Sequence, residues 1–497
     1  MIRYAAALFF AFQPQTFHTS TQLVEVSVVV RDKIGPAANL SKNDFTVTDR
    51  GKPRMISFFS QTVARPPEAA APLPPNTFSN RPQASDRSTG SVTIVLLDAL
   101  NTLYFGTDFA SETGPTRFEN QALAFGKNQL MKFVQDLDPK DRVAIYALGK
   151  SLRVLCDYSN DAAHLRQVLD QYRESSVTLA EISEPPPAAT PNAEFNAAID
   201  VSNQKIAALA NGDRASQTIS ALLAIANHAA GIPGRKNLVW LTASLPFRGE
   251  AIARVLSRSG IAIYPVDARG LIASFNPRYI PKGIDTMQEL ADQSGGRAFY
   301  NNNDISTAIR TAVDDADLSY RLGFYVEESA LDGEFHDLKI HVRRPGVDIR
   351  YPSGYFAIKT DSTAQQRQRE IQSALGSPLE SSAIHLLARV NRDAQDFSIS
   401  GSIDIRDLQL DAADKTRKGS VEFFIIQQDA LGRVLDRYRH RLDLSLTSAE
   451  YDAYLKSGIF FRQNVPAKSG AATIRILAGD PSSARIGSLI IAVSGVH

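Results

Sequence analysis

The stretch SVTIVLLDALNT, Ser91 to Thr102, decides the fold. Its run from Val92 to Leu97 is apolar and largely β-branched, too short for an ordinary helix and too uniformly apolar for a half-exposed strand. It therefore reads as a strand buried on both faces of a parallel sheet. The run ends in Asp98. Open α/β sheets bind ligands just beyond the carboxyl ends of their strands, so Asp98 and the hydroxyl of Thr102 are the first candidates for a site.

Downstream of this strand the pattern alternates. A helix is expected from about Phe118 to Leu137, with Leu123, Leu130, Val134 and Leu137 on one face. Arg142 to Leu148 reads as a strand, and the short Gly149-Lys150 turn into Leu152 to Cys156 makes the next one antiparallel. Asn160 or Asp161 can cap a helix carrying Leu165, Val168, Leu169 and Tyr172. An irregular insertion at Glu174 to Pro191 is followed by alanine-rich helix ending at Gly231. Strands at Asn237 to Leu241 and Ile261 to Val266, the second ending at Asp267, alternate with helices at Glu250 to Ser257 and Ile284 to Ser294. A short strand at Arg297 to Tyr300 and a capped helix from Asp304 complete the unit. The pattern over 91–318 implies an α/β fold: a doubly wound, mostly parallel sheet with helices on both faces.

The flanks are β-rich. Strand patterns over 20–62 and 319–358 are each too small for a core, so they are expected to pair as one discontinuous β-sandwich. Residues 63–90 contain APLPPN and RPQ and read as a Pro-rich linker. A connector over 359–381 leads to a third domain, 382–497, whose short strands and turns suggest a C-terminal all-β, sandwich-like fold. The amino terminus, with a cation at Arg3 and an apolar block from Ala5 to Phe12, has the layout of a signal peptide over 1–19. This block is too short to span a bilayer, which needs about 20 apolar residues, so no transmembrane segment is expected. Export to the periplasm, cell envelope or medium is the corresponding expectation.

At 497 residues the chain suggests roughly three domains. With 54 basic against 53 acidic residues the net charge is +1, which supplies no field for nucleic acid. The single cysteine, Cys156, excludes an intrachain disulfide and any multi-cysteine zinc site. Gly149-Lys150-Ser151 imitates the end of a phosphate-binding loop but lies in a hairpin, not between a strand and a helix. His336 and His341 fall at an odd spacing on one strand and face opposite ways. No HExxH pair or GxSxG elbow occurs, and Trp240 reads as core.

The unit from Ser91 onward resembles a von Willebrand factor A (VWA) domain and is similar to the acidobacterial VWFA-related family. The resemblance is carried by LLDALNT at 96–102, GIPGRKNLVWLT at 231–242, IYPVDARGL at 263–271 and ELADQSGGRAFYN at 289–301. DFTVTDRGKP at 44–53 and GYF at 354–356 match in the flanks. It implies a metal-ion-dependent adhesion site, in which D-x-S-x-S, a threonine and a second aspartate hold Mg²⁺ or another divalent cation. Mapped onto this chain, Asp98 is the first aspartate and Thr102 the second hydroxyl, with Ser216 or Thr218 at the threonine position. Leu100 replaces the first serine and Ala243 the second aspartate, so the site is degenerate. Asp267 could add a carboxylate if its strand adjoins that of Asp98. Magnesium demands strict octahedral oxygen ligation and gives up water reluctantly, so one assured carboxylate is a poor set.

The expected function is that of an exported, non-enzymatic module for protein binding, in adhesion or as a scaffold, docking at the carboxyl edge of its sheet. The partner is a protein, its identity and the oligomeric state unassigned. The alternative is a structural cell-envelope assembly protein with no metal site; hydrolysis by Asp98 and Asp267 as a carboxylate pair ranks below both.

Overall fold

Val92–Asp98 is the middle strand of a five-stranded sheet. On one side lie Lys236–Thr242 and then Ile261–Asp267, both parallel to it. On the other lie Val143–Leu148, parallel, and Leu152–Ser159, turned antiparallel by its tight hairpin. This computed structural model describes residues 21–64, 72–81, 91–103, 117–172, 212–245, 249–256, 259–271, 283–359, 364–393, 395–413 and 416–496. The expected signal peptide over 1–19 and the insertion at 174–191 lie outside them.

All seven residues of the middle strand are buried, and their alternation divides the core in two. Ile94 and Leu96 pack against Leu222 and Ile225 of the helix over 212–229, Ile252 of Gly249–Leu256 and Leu290 of Ile284–Ser294. Val95 and Leu97 face Leu130 and Phe133 of Arg117–Gln135, Leu165 of Ala162–Gln171 and Ile309 of Ile305–Asp317. Burying one large aliphatic side chain is worth about 1.5–3 kcal/mol. Five on one strand therefore contribute on the order of 10 kcal/mol, the size of a whole domain's net stability. A strand so placed fixes the position of whatever ends it.

Thr21–Arg31 pairs antiparallel with Leu318–Glu327, and Phe45–Asp49 with Phe335–Val342. The two four-stranded sheets built on these pairs enclose a core that includes Val28, Phe45, Tyr320 and Ile340. Buried Asp315, on helix Ile305–Asp317, ties this core to the central unit. It accepts from the Tyr264 hydroxyl at 2.8 Å and pairs with Arg350 and with Arg31 at 3.5 Å. A buried carboxylate left without such partners would be strongly destabilising.

The carboxyl-terminal strands form two further sheets around a core including Ile399, Phe397, Ile425 and Ile476. One departure from the sequence reading lies here. Within the expected linker, Thr77–Ser79 is a strand paired with Leu387 to Arg389. Asn80 secures it, donating to the carbonyls of Ser381 at 2.7 Å and Ile384 at 2.8 Å and accepting from the Leu386 amide at 2.7 Å. Three residues show no period-two pattern, so this pairing is set by the available sheet edge, not by propensity.

The central unit meets the carboxyl-terminal strands at residues 227–231 and 380–382. Gly231 donates to Ser382 Oγ at 2.9 Å, and a Cβ at Gly231 would lie 2.0 Å from the Ser382 carbonyl oxygen. His228 has acceptors on both ring nitrogens, the Glu380 carbonyl at 2.7 Å and Asp157 Oδ1 at 3.1 Å, and stacks on Tyr158. Burial pushes the Glu380 carboxyl up to about 7, and the Asp157 and Glu380 oxygens raise His228 against the opposing effect of its own burial. Both groups hold protons in the folded chain that the unfolded chain releases at lower pH, so stability falls as pH rises. Asp157, lowered by His228 in spite of its burial, acts oppositely and only at acid pH.

Two outcomes are expected. Gly231→Ala should overpack the junction and cost about 1–3 kcal/mol in denaturant melts. In the unsubstituted protein, melting temperature should decline as pH rises from about 4.5 through about 7, the interval over which Glu380 keeps its proton only in the folded chain, and His228→Gln should flatten the upper end of that slope.

Candidate functional site

Asp98 ends the middle strand and begins the short helix Ala99–Leu103, and its position follows from both roles. As the residue preceding the helix it accepts from the Asn101 amide N–H at 2.9 Å through Oδ1, the third-residue bond of an N-cap. Its Oδ2 accepts from Asn101 Nδ2 at 2.7 Å and from Trp240 Nε1 at 2.8 Å. The same Asn101 Nδ2 donates to Thr218 Oγ1 at 3.0 Å, and the Thr218 hydroxyl donates to the Arg214 carbonyl at 2.8 Å. One uncharged amide nitrogen therefore bridges the aspartate and the threonine between which a cation would have to be held.

The rest of the cluster is equally committed. Thr102 Oγ1 accepts from the backbone N–H of Ala243 at 3.2 Å, and Ser244 Oγ donates to the Asn101 carbonyl at 3.0 Å. Asn101 Oδ1 is buried and has no hydrogen-bond partner among the described residues. Turning the amide over would set that oxygen against two acceptors, so the orientation is fixed by the Asp98 and Thr218 oxygens. Burial raises the Asp98 carboxyl above its ordinary value, outweighing the bonds from Asn101 and Trp240 that lower it.

Of the residues singled out from sequence, Asp98, Thr102 and Thr218 converge, and all three have 0% relative exposure. The expectation that Asp98 lines an accessible rim is corrected: the end of a doubly covered middle strand is sealed by the helix it caps. Ser216 is exposed, on the far side of the same helix turn from Thr218. Asp267 does not join the cluster. Its strand lies two places from that of Asp98, roughly 10 Å at about 4.8 Å per strand. Its carboxylate is also clamped by Arg269, with Nε to Oδ1 at 2.8 Å and NH2 to Oδ2 at 2.7 Å. That distance removes the proposed carboxylate pair as well. Leu100 points into the apolar core, so the position of the first hydroxyl in the resemblance supplies no oxygen here.

Sequence reasoning missed Asn101 and the polar role of Trp240. The signal for Asn101 was the three-residue spacing from Asp98, the spacing of a cap. For Trp240 there was none, because an indole N–H in an apolar strand has no periodic signature. Elsewhere, His385, Asp404 and Asp407 place potential ligand atoms within 4.8 Å of one another.

The central unit is VWA-like: a mostly parallel sheet with an antiparallel edge strand, helices on both faces and an aspartate ending the middle strand. No family model and no curated protein matches the chain. Solved structures that resemble it include an aerotolerance-related membrane protein from Bacteroides fragilis, 17% identical, covering 45% of this chain and 98% of its own, at a TM-score of 0.25. The VWA domain of SpRpn10 is 11% identical over 44% of this chain and 94% of its own, TM-score 0.23. Proximal thread matrix protein 1 of the mussel byssus, described with a zinc-occupied MIDAS motif, is 12% identical over 49% of each chain, TM-score 0.25. Likenesses this distant leave function to the residues of this chain.

Asn101→Ala should leave Asp98 and Thr218 buried without their shared donor and destabilise the fold by about 2–5 kcal/mol in denaturant melts. Asn101→Asp, which sets two carboxylates together, should be less stable still in EDTA and be partly restored by millimolar Mn²⁺.

Proposed function

We propose that this protein is an exported, non-enzymatic protein-binding module, in adhesion or as a scaffold, whose VWA-like metal site is degenerate. In this reading a doubly wound central unit is held between a discontinuous β-sandwich and a carboxyl-terminal all-β domain. One observation carries the proposal: Asp98, Asn101, Thr102 and Thr218 are hydrogen-bonded to one another or to neighbouring backbone and Trp240, so docking proceeds without a bridging cation. The apolar block from Ala5 to Phe12 supports export, and no described helix is long and apolar enough to cross a membrane.

The docking surface remains the carboxyl edge of the sheet, but its contact groups are different ones. Leu271, 59% exposed, and Tyr300, 37% exposed, follow the ends of neighbouring strands there. The Leu271 amide donates to Asn303 Oδ1 at 2.7 Å, and Gln288 Nε2 donates to the Tyr300 hydroxyl at 2.6 Å, which fixes both residues. Exposed apolar and aromatic groups on a rigid frame are the usual anchors of protein recognition.

In a pull-down from envelope extract, capture of a specific partner should persist in EDTA and fall at least tenfold for Leu271→Asp with Tyr300→Ala. Loss of capture in EDTA would contradict cation-free docking. Unchanged capture by the double variant would favour the alternative, a structural envelope element that assembles through other surfaces.

A further inference from the structure

The outer face of the carboxyl-terminal sheet holds a cavity of about 310 Å³ that the proposed docking function does not use. Strand pairing explains its composition. Leu387 is opposite Ser402 and Ser79, so alternation brings His385, Leu387, Ser402 and Asp404 to one face, away from the core formed by Leu386 and Ile403. Leu455 and Lys456, at the end of helix Ser448–Ser457, form a second wall. Leu73, Ser79 and Arg81 form the third, and they come from the segment that docks as an extra strand.

Charge in the cavity is unbalanced. Three cations, Arg81, Arg406 and Lys456, face it against one carboxylate, Asp404. That carboxylate is turned to the guanidinium groups: Oδ1 accepts from Arg406 Nε at 2.8 Å, and Oδ2 accepts from Arg406 NH2 at 2.8 Å and Arg81 NH2 at 3.1 Å. Lys456 makes no hydrogen bond or ion pair among the described residues. Asp407 lies behind His385, accepting from its backbone N–H at 3.0 Å and bonding Nδ1 at 2.5 Å. This bond makes Nδ1 the donor and Nε2 an acceptor, so His385 lines the cavity without supplying a positive charge to it. Asp404 is thus already matched by two guanidinium groups, and Asp407 is turned to His385, which leaves Lys456 as the cation for an added anion.

We infer that this cavity binds a small organic carboxylate with an apolar body. The carboxylate would meet Lys456 and Arg81, and the body would lie on Leu73, Leu387 and Leu455. A volume at the small end of ligand pockets suits on the order of ten non-hydrogen atoms. Because one wall is the docked segment 72–81, occupancy would also hold that segment on the sheet, stabilising the path between the amino-terminal strands and the central unit.

Calorimetric titration of the full chain with octanoate tests this, with octanol, inorganic phosphate and Zn²⁺ as comparison probes. Saturable octanoate binding is expected, at least tenfold weaker in Lys456→Gln with Arg81→Gln, and at least tenfold tighter than either octanol or phosphate. Lys456→Gln alone, a change at an exposed helix residue with no partner to lose, should also weaken binding and keeps the test valid if the double variant is unstable. No heat with octanoate, equal affinity for octanol, or binding unchanged in the variants would overturn the inference. So would tight Zn²⁺ binding that His385→Ala abolishes and that excludes octanoate.

Discussion

The structure depends on one uncharged contact: the side-chain amide of Asn101 donates both to Asp98 and to Thr218. The aspartate ends the middle strand, the threonine lies on a helix packed across the sheet, and Trp240, the third donor, belongs to the neighbouring strand. Three elements remote in sequence are therefore joined through two planar groups, the Asn101 amide and the Asp98 carboxyl. In a low-dielectric interior, bonds of this kind are strong when complete and costly when broken, which makes the cluster a fixed point of the fold.

That constraint also separates the fold from the chemistry the resemblance implies. A divalent cation would need to be admitted between the same oxygens and find six oxygen ligands there. Here Leu100 is packed in the core, the backbone of Ala243 occupies the Thr102 hydroxyl, and Asp267 is bound to Arg269. The VWA-like frame is present, and hydrogen bonds among Asp98, Asn101, Thr218 and Trp240 fill the centre of this end of the sheet. The exposed Leu271 and Tyr300, supported by the same strand ends, are the groups on which the proposed docking rests.

Much of this was legible in the sequence because it depends on periodicity. The uniform apolar run from Val92 to Leu97 marked a strand covered on both sides, and the resemblance pointed to Asp98, Thr102 and either Ser216 or Thr218, of which the structure brings Thr218 and not Ser216 to Asp98. What escaped depends on contacts between remote segments. Burial of Asp98 follows from what packs over it, which no local pattern encodes. The position of Asp267 depended on strand order, and one intervening strand put it out of reach. Thr77–Ser79 is too short to show a strand pattern, and its pairing is decided by the free edge at Leu387 to Arg389.

The most direct test is titration of Mn²⁺ followed by electron paramagnetic resonance, comparing the unsubstituted chain with Asp98→Ala. If Asn101 occupies the place of the cation, the two proteins should leave the same amount of free Mn²⁺ throughout the titration. Stoichiometric Mn²⁺ binding that disappears in Asp98→Ala would show that the amide yields to metal, and would contradict the account at its centre.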